Sequence, residues 1–101
     1  MVAELKESDK KIRRYIMNQR TNAGYTIIAN IALPDCEYVL GEKQTESKEP
    51  KYVTWYCVNN ENYYYGYYTN NKNDALITLY KRAKKEINYR IDKLNLIIKG
   101  E

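Results

Sequence analysis

The chain predicts an α+β domain: an N-terminal helix, a four-stranded antiparallel sheet, and a long C-terminal helix packed on that sheet. Three observations carry this. Apolar residues recur at helical spacing near both ends, they alternate with period two through the middle, and two alternating runs flank the asparagine-rich stretch Asn59-Asn60-Glu61-Asn62. With 101 residues the chain suits one domain spanning residues 1–101.

Over residues 3–20, Leu5, Ile12, Tyr15 and Ile16 keep near-helical spacing, with Glu4, Glu7 and Asp9 early and Arg13, Arg14 and Arg20 late. That charge order suits a helix dipole. Gly24 offers a left-handed stop. Residues 25–33 alternate Tyr25, Ile27, Ala29, Ile31 and Leu33 against their neighbours and predict a largely buried strand. Pro34-Asp35 predicts a turn, and residues 36–40 a short strand. Residues 41–50 hold three glutamates and no aliphatic side chain, which predicts a solvated loop.

Residues 51–58 and 63–69 predict a hairpin, because asparagines tolerate left-handed turn geometry. Thr69, Asn70, Asn71 and Asn73 are candidate N-caps for a helix over residues 74–99, about 39 Å long. Its expected core stripe is Leu76, Tyr80, Ala83, Ile87, Ile91, Leu94 and Ile98. A seven-residue strand spans only about 23 Å, so the helix should outrun the sheet. The seven-residue spacing of Tyr80, Ile87 and Leu94 predicts that its far half meets the first helix or, in a homodimer, a second copy.

The composition has a sharp bias: twelve tyrosines and no phenylalanine. Phenylalanine codons are as AT-rich as tyrosine codons, so a biased genome does not explain the difference. A ring with a polar tip suits a surface that is wet when free and covered when bound. In the expected register Val58 pairs with Tyr63, Tyr56 with Tyr65, Thr54 with Tyr67, Cys57 with Tyr64, Trp55 with Gly66, and Val53 with Tyr68. Val53, Trp55, Cys57, Tyr64 and Tyr68 then face the core, with Trp55 lying across Gly66. Tyr52, Tyr56, Tyr63, Tyr65 and Tyr67 fall on the other face, turned to solvent as the candidate partner-binding patch.

Most catalytic chemistry is excluded by residue type. There is no histidine, so nucleophilic triads and the commonest metal ligand are missing. Cys36 and Cys57 lack the spacing of a metal or redox pair and read as two buried, reduced thiols. No glycine-rich phosphate loop occurs. We expect no enzyme, no metal and no cofactor. Pro34-Asp35 with Glu46-Ser47-Lys48 resembles the PD...ExK pattern of metal-dependent nucleases, but a polar loop is a poor platform for two carboxylates. No apolar run matches a membrane span or a signal peptide, so a cytoplasmic location without membrane contact is expected.

Net charge is +4, with residues 25–50 acidic and both ends basic. A nucleic-acid module is the alternative reading, using Lys81, Arg82, Lys84 and Lys85 with tyrosine stacking. The string Tyr65-Gly66-Tyr67-Tyr68-Thr69 leading into Ala75 and Tyr80 resembles the three-stranded-sheet DNA-binding domains of the AP2 and integrase-arm type. Those domains read DNA with arginines on the sheet, which this sheet lacks.

Tyr52-Val53-Thr54-Trp55 and Tyr64-Tyr65-Gly66 resemble small uncharacterised proteins of phages and mobile elements in AT-rich bacteria. That resemblance implies an accessory or inhibitor in the bacterial host cell, for example of a defence nuclease such as CRISPR-Cas. The expected partner is then a protein, engaged by the tyrosine face with the acidic stretch 42–49 as an accessory contact.

Overall fold

The computed structural model describes residues 20–43 and 48–100, and the helix expected over residues 3–20 lies outside them except for Arg20. Ala23 (φ 52°) and Gly24 (φ 85°) both take left-handed backbone. Two such residues in succession make the tight hairpin turn whose twist matches the flanking strands. Gly24 therefore does not stop a helix. It joins β1 (Thr21–Asn22) to β2 (Tyr25–Ala32), so the sheet has five strands where four were expected.

β3 (Glu37–Lys43) runs three residues past the expected boundary, because its ladder with β4 (Tyr52–Val58) continues to Glu42↔Tyr52 and Lys43 N–H then donates to Lys51 O at 2.8 Å. Strand β5 (Asn62–Thr69) completes an antiparallel sheet in sequential order β1-β2-β3-β4-β5. The class is α+β, with α1 (Lys72–Gly100) as the long C-terminal helix. Asn71 caps it: its Oδ1 accepts from Asp74 N–H at 2.9 Å.

The β4–β5 hairpin turns on Asn59 (φ 58°) and Asn60 (φ 59°). Its register matches expectation at Val53↔Tyr68 and Thr54↔Tyr67, then slips. Tyr56 faces Tyr64, Cys57 faces Tyr63, and Val58 faces Asn62. The cause is a bulge: Tyr65, with φ 57°, and Gly66 together oppose Trp55. Every β5 side chain before the bulge changes face relative to the expected register.

Helix α1 also packs on the face opposite to the one expected. Ala75, Leu79 and Ala83 press on Tyr38, Leu40 and Tyr52, with Ile28, Ala29, Ile31, Leu33, Tyr56 and Leu76 around them. The small alanines let the helix approach the tyrosine rings closely. On the far face Tyr25, Val39, Val53, Trp55 and Cys57 form a second cluster with Ile27 and Tyr63. Tyr25 meets Trp55 edge-on at 5.7 Å. Strand β4 is thus buried on both faces, a state that alternation alone does not distinguish from one-sided burial.

The sheet-facing line of α1 is Ala75, Leu79, Ala83, about a quarter turn from the expected stripe. Leu76 and Ala83 of that stripe pack on the core, whereas Tyr80, Ile87, Ile91, Leu94 and Ile98 are exposed. The helix is about 43 Å long and does outrun the sheet. Its exit is pinned by Arg90, which pairs with Asp35 at 2.8 Å and Glu86 at 2.8 Å and points an N–H at Cys36 Sγ, 3.5 Å away. Cys36 and Cys57 are free, buried thiols on opposite faces of the sheet.

Candidate binding surface

Four tyrosine rings form a row from the helix-side core to the surface. Tyr38 lies 5.5 Å from Tyr56, Tyr56 lies 6.2 Å from Tyr64 and 6.5 Å from Tyr65, and Tyr64 and Tyr65 are 6.1 Å apart. All the pairs are tilted, the arrangement that ring quadrupoles favour over face-to-face stacking. Tyr38 is fixed at the buried end, with the Arg82 guanidinium 5.7 Å over its ring. Burial pushes the Tyr38 and Tyr56 hydroxyls above the usual tyrosine range, so both stay neutral donors.

At the outer end stands Tyr65, 79% exposed although its backbone is left-handed. Left-handed backbone costs an L-residue roughly 1–2 kcal/mol, and glycine escapes that cost. A glycine is the next residue along. Gly66 is held for a different reason: a Cβ there would meet the Tyr68 ring at 2.9 Å and Trp55 Nε1 at 3.0 Å. Trp55 thus lies across Gly66 as the alternation predicted, and the left-handed position falls on a tyrosine.

The structure separates the five tyrosines expected to share one solvent face. Tyr52 is buried beneath α1. Tyr56 is half-buried in the row. Tyr63 turns to the opposite face, 5.3 Å from Trp55, where its hydroxyl accepts from Arg20 at 3.1 Å and donates to Asn60 O at 3.3 Å. Tyr65 and Tyr67 are exposed on the helix side, and the Tyr67 hydroxyl donates to Asp74 at 2.9 Å, which raises its pKa. Tyr64, expected in the core, joins the exposed row because of the bulge. Tyr68 is also half-open, on the far face 6.1 Å from Tyr25.

The four basic residues of the alternative reading divide as well. Arg82 turns inward to the carbonyl and hydroxyl of Thr54, and burial lowers its pKa. Lys81, Lys84 and Lys85 remain on the outer side of α1, beside Asn88, Tyr89 and Asp92. Sequence reasoning missed Arg20. It pairs with buried Glu37, which also accepts from Asn30 at 3.2 Å, and it fastens the far face to β3. Of the PD...ExK residues, Asp35 is held by Arg90, which keeps its carboxyl below the usual range, Lys48 is exposed, and Glu46 lies outside the described residues.

Among the described residues no three potential ligand side chains converge on a metal position. No helix of the described residues is long and apolar enough to cross a membrane. No family model, curated protein or solved structure matches the chain.

Proposed function

We propose that the protein is a non-catalytic binding protein that engages a protein partner through the row Tyr56, Tyr64 and Tyr65, with Tyr67 beside it. The observation that supports this reading is Tyr65: a large ring, open to solvent, on backbone that a glycine would occupy at lower cost. Strain kept at an exposed aromatic is a feature of binding sites. Tyrosine also brings large contact area at low side-chain entropy, which suits interface anchors. The hairpin's resemblance to small phage and mobile-element proteins extends the reading to an inhibitor of a host defence component such as a CRISPR nuclease.

The test is capture of host protein by the full chain compared with Tyr65→Asn and Tyr64→Ser. Asparagine tolerates left-handed backbone, so the fold should keep its thermal midpoint while the captured protein is lost. Retention of the captured protein by both variants would remove the tyrosine row from the mechanism. A nucleic-acid module built on Lys81, Lys84 and Lys85 is the second reading, favoured by their clustering beside Tyr89. It requires binding to mixed DNA or RNA that weakens steeply with salt. No binding at low salt would dismiss it.

A further inference from the structure

Two buried thiols have the same surroundings on opposite faces of the sheet. Cys36 is 7% exposed and Cys57 is fully buried. Each sulfur has a guanidinium N–H 3.5 Å away, from Arg90 at Cys36 and from Arg20 at Cys57. Each is also hydrogen-bonded to a tyrosine hydroxyl, Cys36 to that of Tyr56 and Cys57 to that of Tyr63. Burial raises both thiol pKa values and keeps solutes away, so neither follows the thiolate route of a reactive cysteine.

From each of those two tyrosines a row of rings leads to the surface. On the helix side Tyr56 lies 6.2 Å from Tyr64 and 6.5 Å from Tyr65, and both outer rings are exposed. On the far side Tyr63 lies 5.3 Å from Trp55, Trp55 lies 5.7 Å from Tyr25, and Tyr25 lies 6.1 Å from exposed Tyr68. Electron tunnelling weakens exponentially with distance, and every link here is between neighbouring rings. Every ring is a phenol or an indole, which give up single electrons far more readily than a benzene ring does. Phenylalanine would fill the same rows and block them, and the chain contains none.

We propose that both rows carry single electrons from a buried thiol to one-electron oxidants at the surface, such as peroxyl radicals or oxidised metal complexes. Tyr65 or Tyr68 gives an electron to the oxidant and its hydroxyl proton to water, leaving a phenoxyl radical. The radical then moves inward, each ring recovering an electron and a proton as the next one is oxidised. At the inner end Tyr56 or Tyr63 takes an electron and a proton from the thiol. The S–H bond breaks, a thiyl radical remains, and every ring is restored. One thiol and one oxidant thus become one thiyl radical, one released proton and one reduced oxidant. The activity shares Tyr64 and Tyr65 with partner binding but does not depend on it, because the far row lies on the opposite face.

The experiment illuminates the full chain in air with a tris-bipyridyl ruthenium complex and a cobalt(III) pentaammine quencher. The oxidised ruthenium complex takes single electrons and is too large to reach either sulfur. Peptide mass spectrometry then maps the oxidised residues. In the parent, oxygen addition should appear at Cys36 and Cys57. Tyr56→Phe keeps the ring but removes the oxidisable hydroxyl. It should lose oxidation at Cys36, accumulate dityrosine at Tyr64 and Tyr65, and leave Cys57 as in the parent. Tyr63→Phe should lose oxidation at Cys57 and leave Cys36 as in the parent. Hydrogen peroxide, a two-electron oxidant, should leave both thiols intact in all three proteins. Thiols that stay reduced in the illuminated parent overturn the proposal, as does Cys36 oxidation at the parental level in Tyr56→Phe. Oxidation of either thiol by peroxide overturns it by showing direct access. So does a single variant that changes both thiols together, which would report a disturbed fold rather than a cut path.

Discussion

Arg82 donates from a single guanidinium nitrogen to both oxygens that Thr54 offers, the backbone carbonyl at 3.0 Å and the hydroxyl at 3.1 Å. Thr54 is fully buried in the middle of the sheet, so this contact fastens the helix at a point where water does not compete well. Hydrogen bonds to a charged donor contribute about 1.5–3 kcal/mol. Arg82→Ala should therefore destabilise by about 2 kcal/mol, read as a lower urea midpoint at unchanged slope. An unaltered midpoint would mean that the contact adds nothing to stability.

Tyr65 should show its strain in a substitution series. Glycine relieves the left-handed backbone but costs about 0.5–1 kcal/mol in chain entropy, so Tyr65→Gly should stay within about 1 kcal/mol of the parent. Tyr65→Val places a β-branched residue where it is least tolerated and should lose clearly more. Equal stabilities of the glycine and valine variants would contradict the backbone geometry.

Gly66→Ala probes the neighbouring position by crowding alone. The added methyl meets the Tyr68 ring and Trp55 Nε1 at about the closest distances packing allows, and both rings must shift. Such overpacking costs typically about 1–3 kcal/mol. The lone tryptophan supplies the readout: its emission should move to longer wavelength as Trp55 opens to solvent, and an unchanged spectrum would mean that the rings yield freely.

Stability should fall in alkali before it falls in acid. Burial holds the Cys36 and Cys57 thiols and the Tyr25, Tyr38 and Tyr56 hydroxyls above their ordinary ranges. The folded state then keeps protons that the unfolded state releases, so these contributions are complete below the unfolded values, about 8.5 for cysteine and about 10 for tyrosine. They are lost as pH rises through the folded values. Asp35 has the opposite sign, its lowered carboxyl favouring the fold above the unfolded range and losing that as pH falls, but it is exposed and its share is small. Denaturation midpoints measured from neutral to strongly alkaline pH should decline from about pH 8.5 upward, and a flat profile there would refute the burial of these groups.

The hairpin, the sheet's antiparallel order and the long capped helix were legible in the sequence because each has a local cause: paired asparagines for the turn, alternation for the strands, Asn71 ahead of a helical pattern. The face of the hairpin that receives α1 was not legible. Alternation says that Val53 and Trp55 share a side and that Tyr52 and Thr54 share the other, but on a strand buried twice it cannot say which side the helix takes. The slip before Tyr65 was equally hidden, since regular pairing of Trp55 with Gly66 was expected and nothing local to Tyr65 marks a left-handed bulge position. That displacement exchanged Tyr63 for Tyr64 in the exposed row. Arg20 read as a helix-end cation and Arg82 as part of a basic nucleic-acid-binding cluster, and only the fold brings them to Glu37 and Thr54.

Among the described residues strand β5 ends the sheet, with no charged residue and no proline anywhere in Asn62–Thr69. An edge of that kind would ordinarily recruit copies of itself into a growing stack. The kink at Tyr65 interrupts the run of outward-pointing amides midway, leaving two stretches too short to template a neighbour well. The distortion that turns the Tyr65 ring to solvent thus also works against edge-to-edge stacking, and a straighter, more regular hairpin would lose that protection.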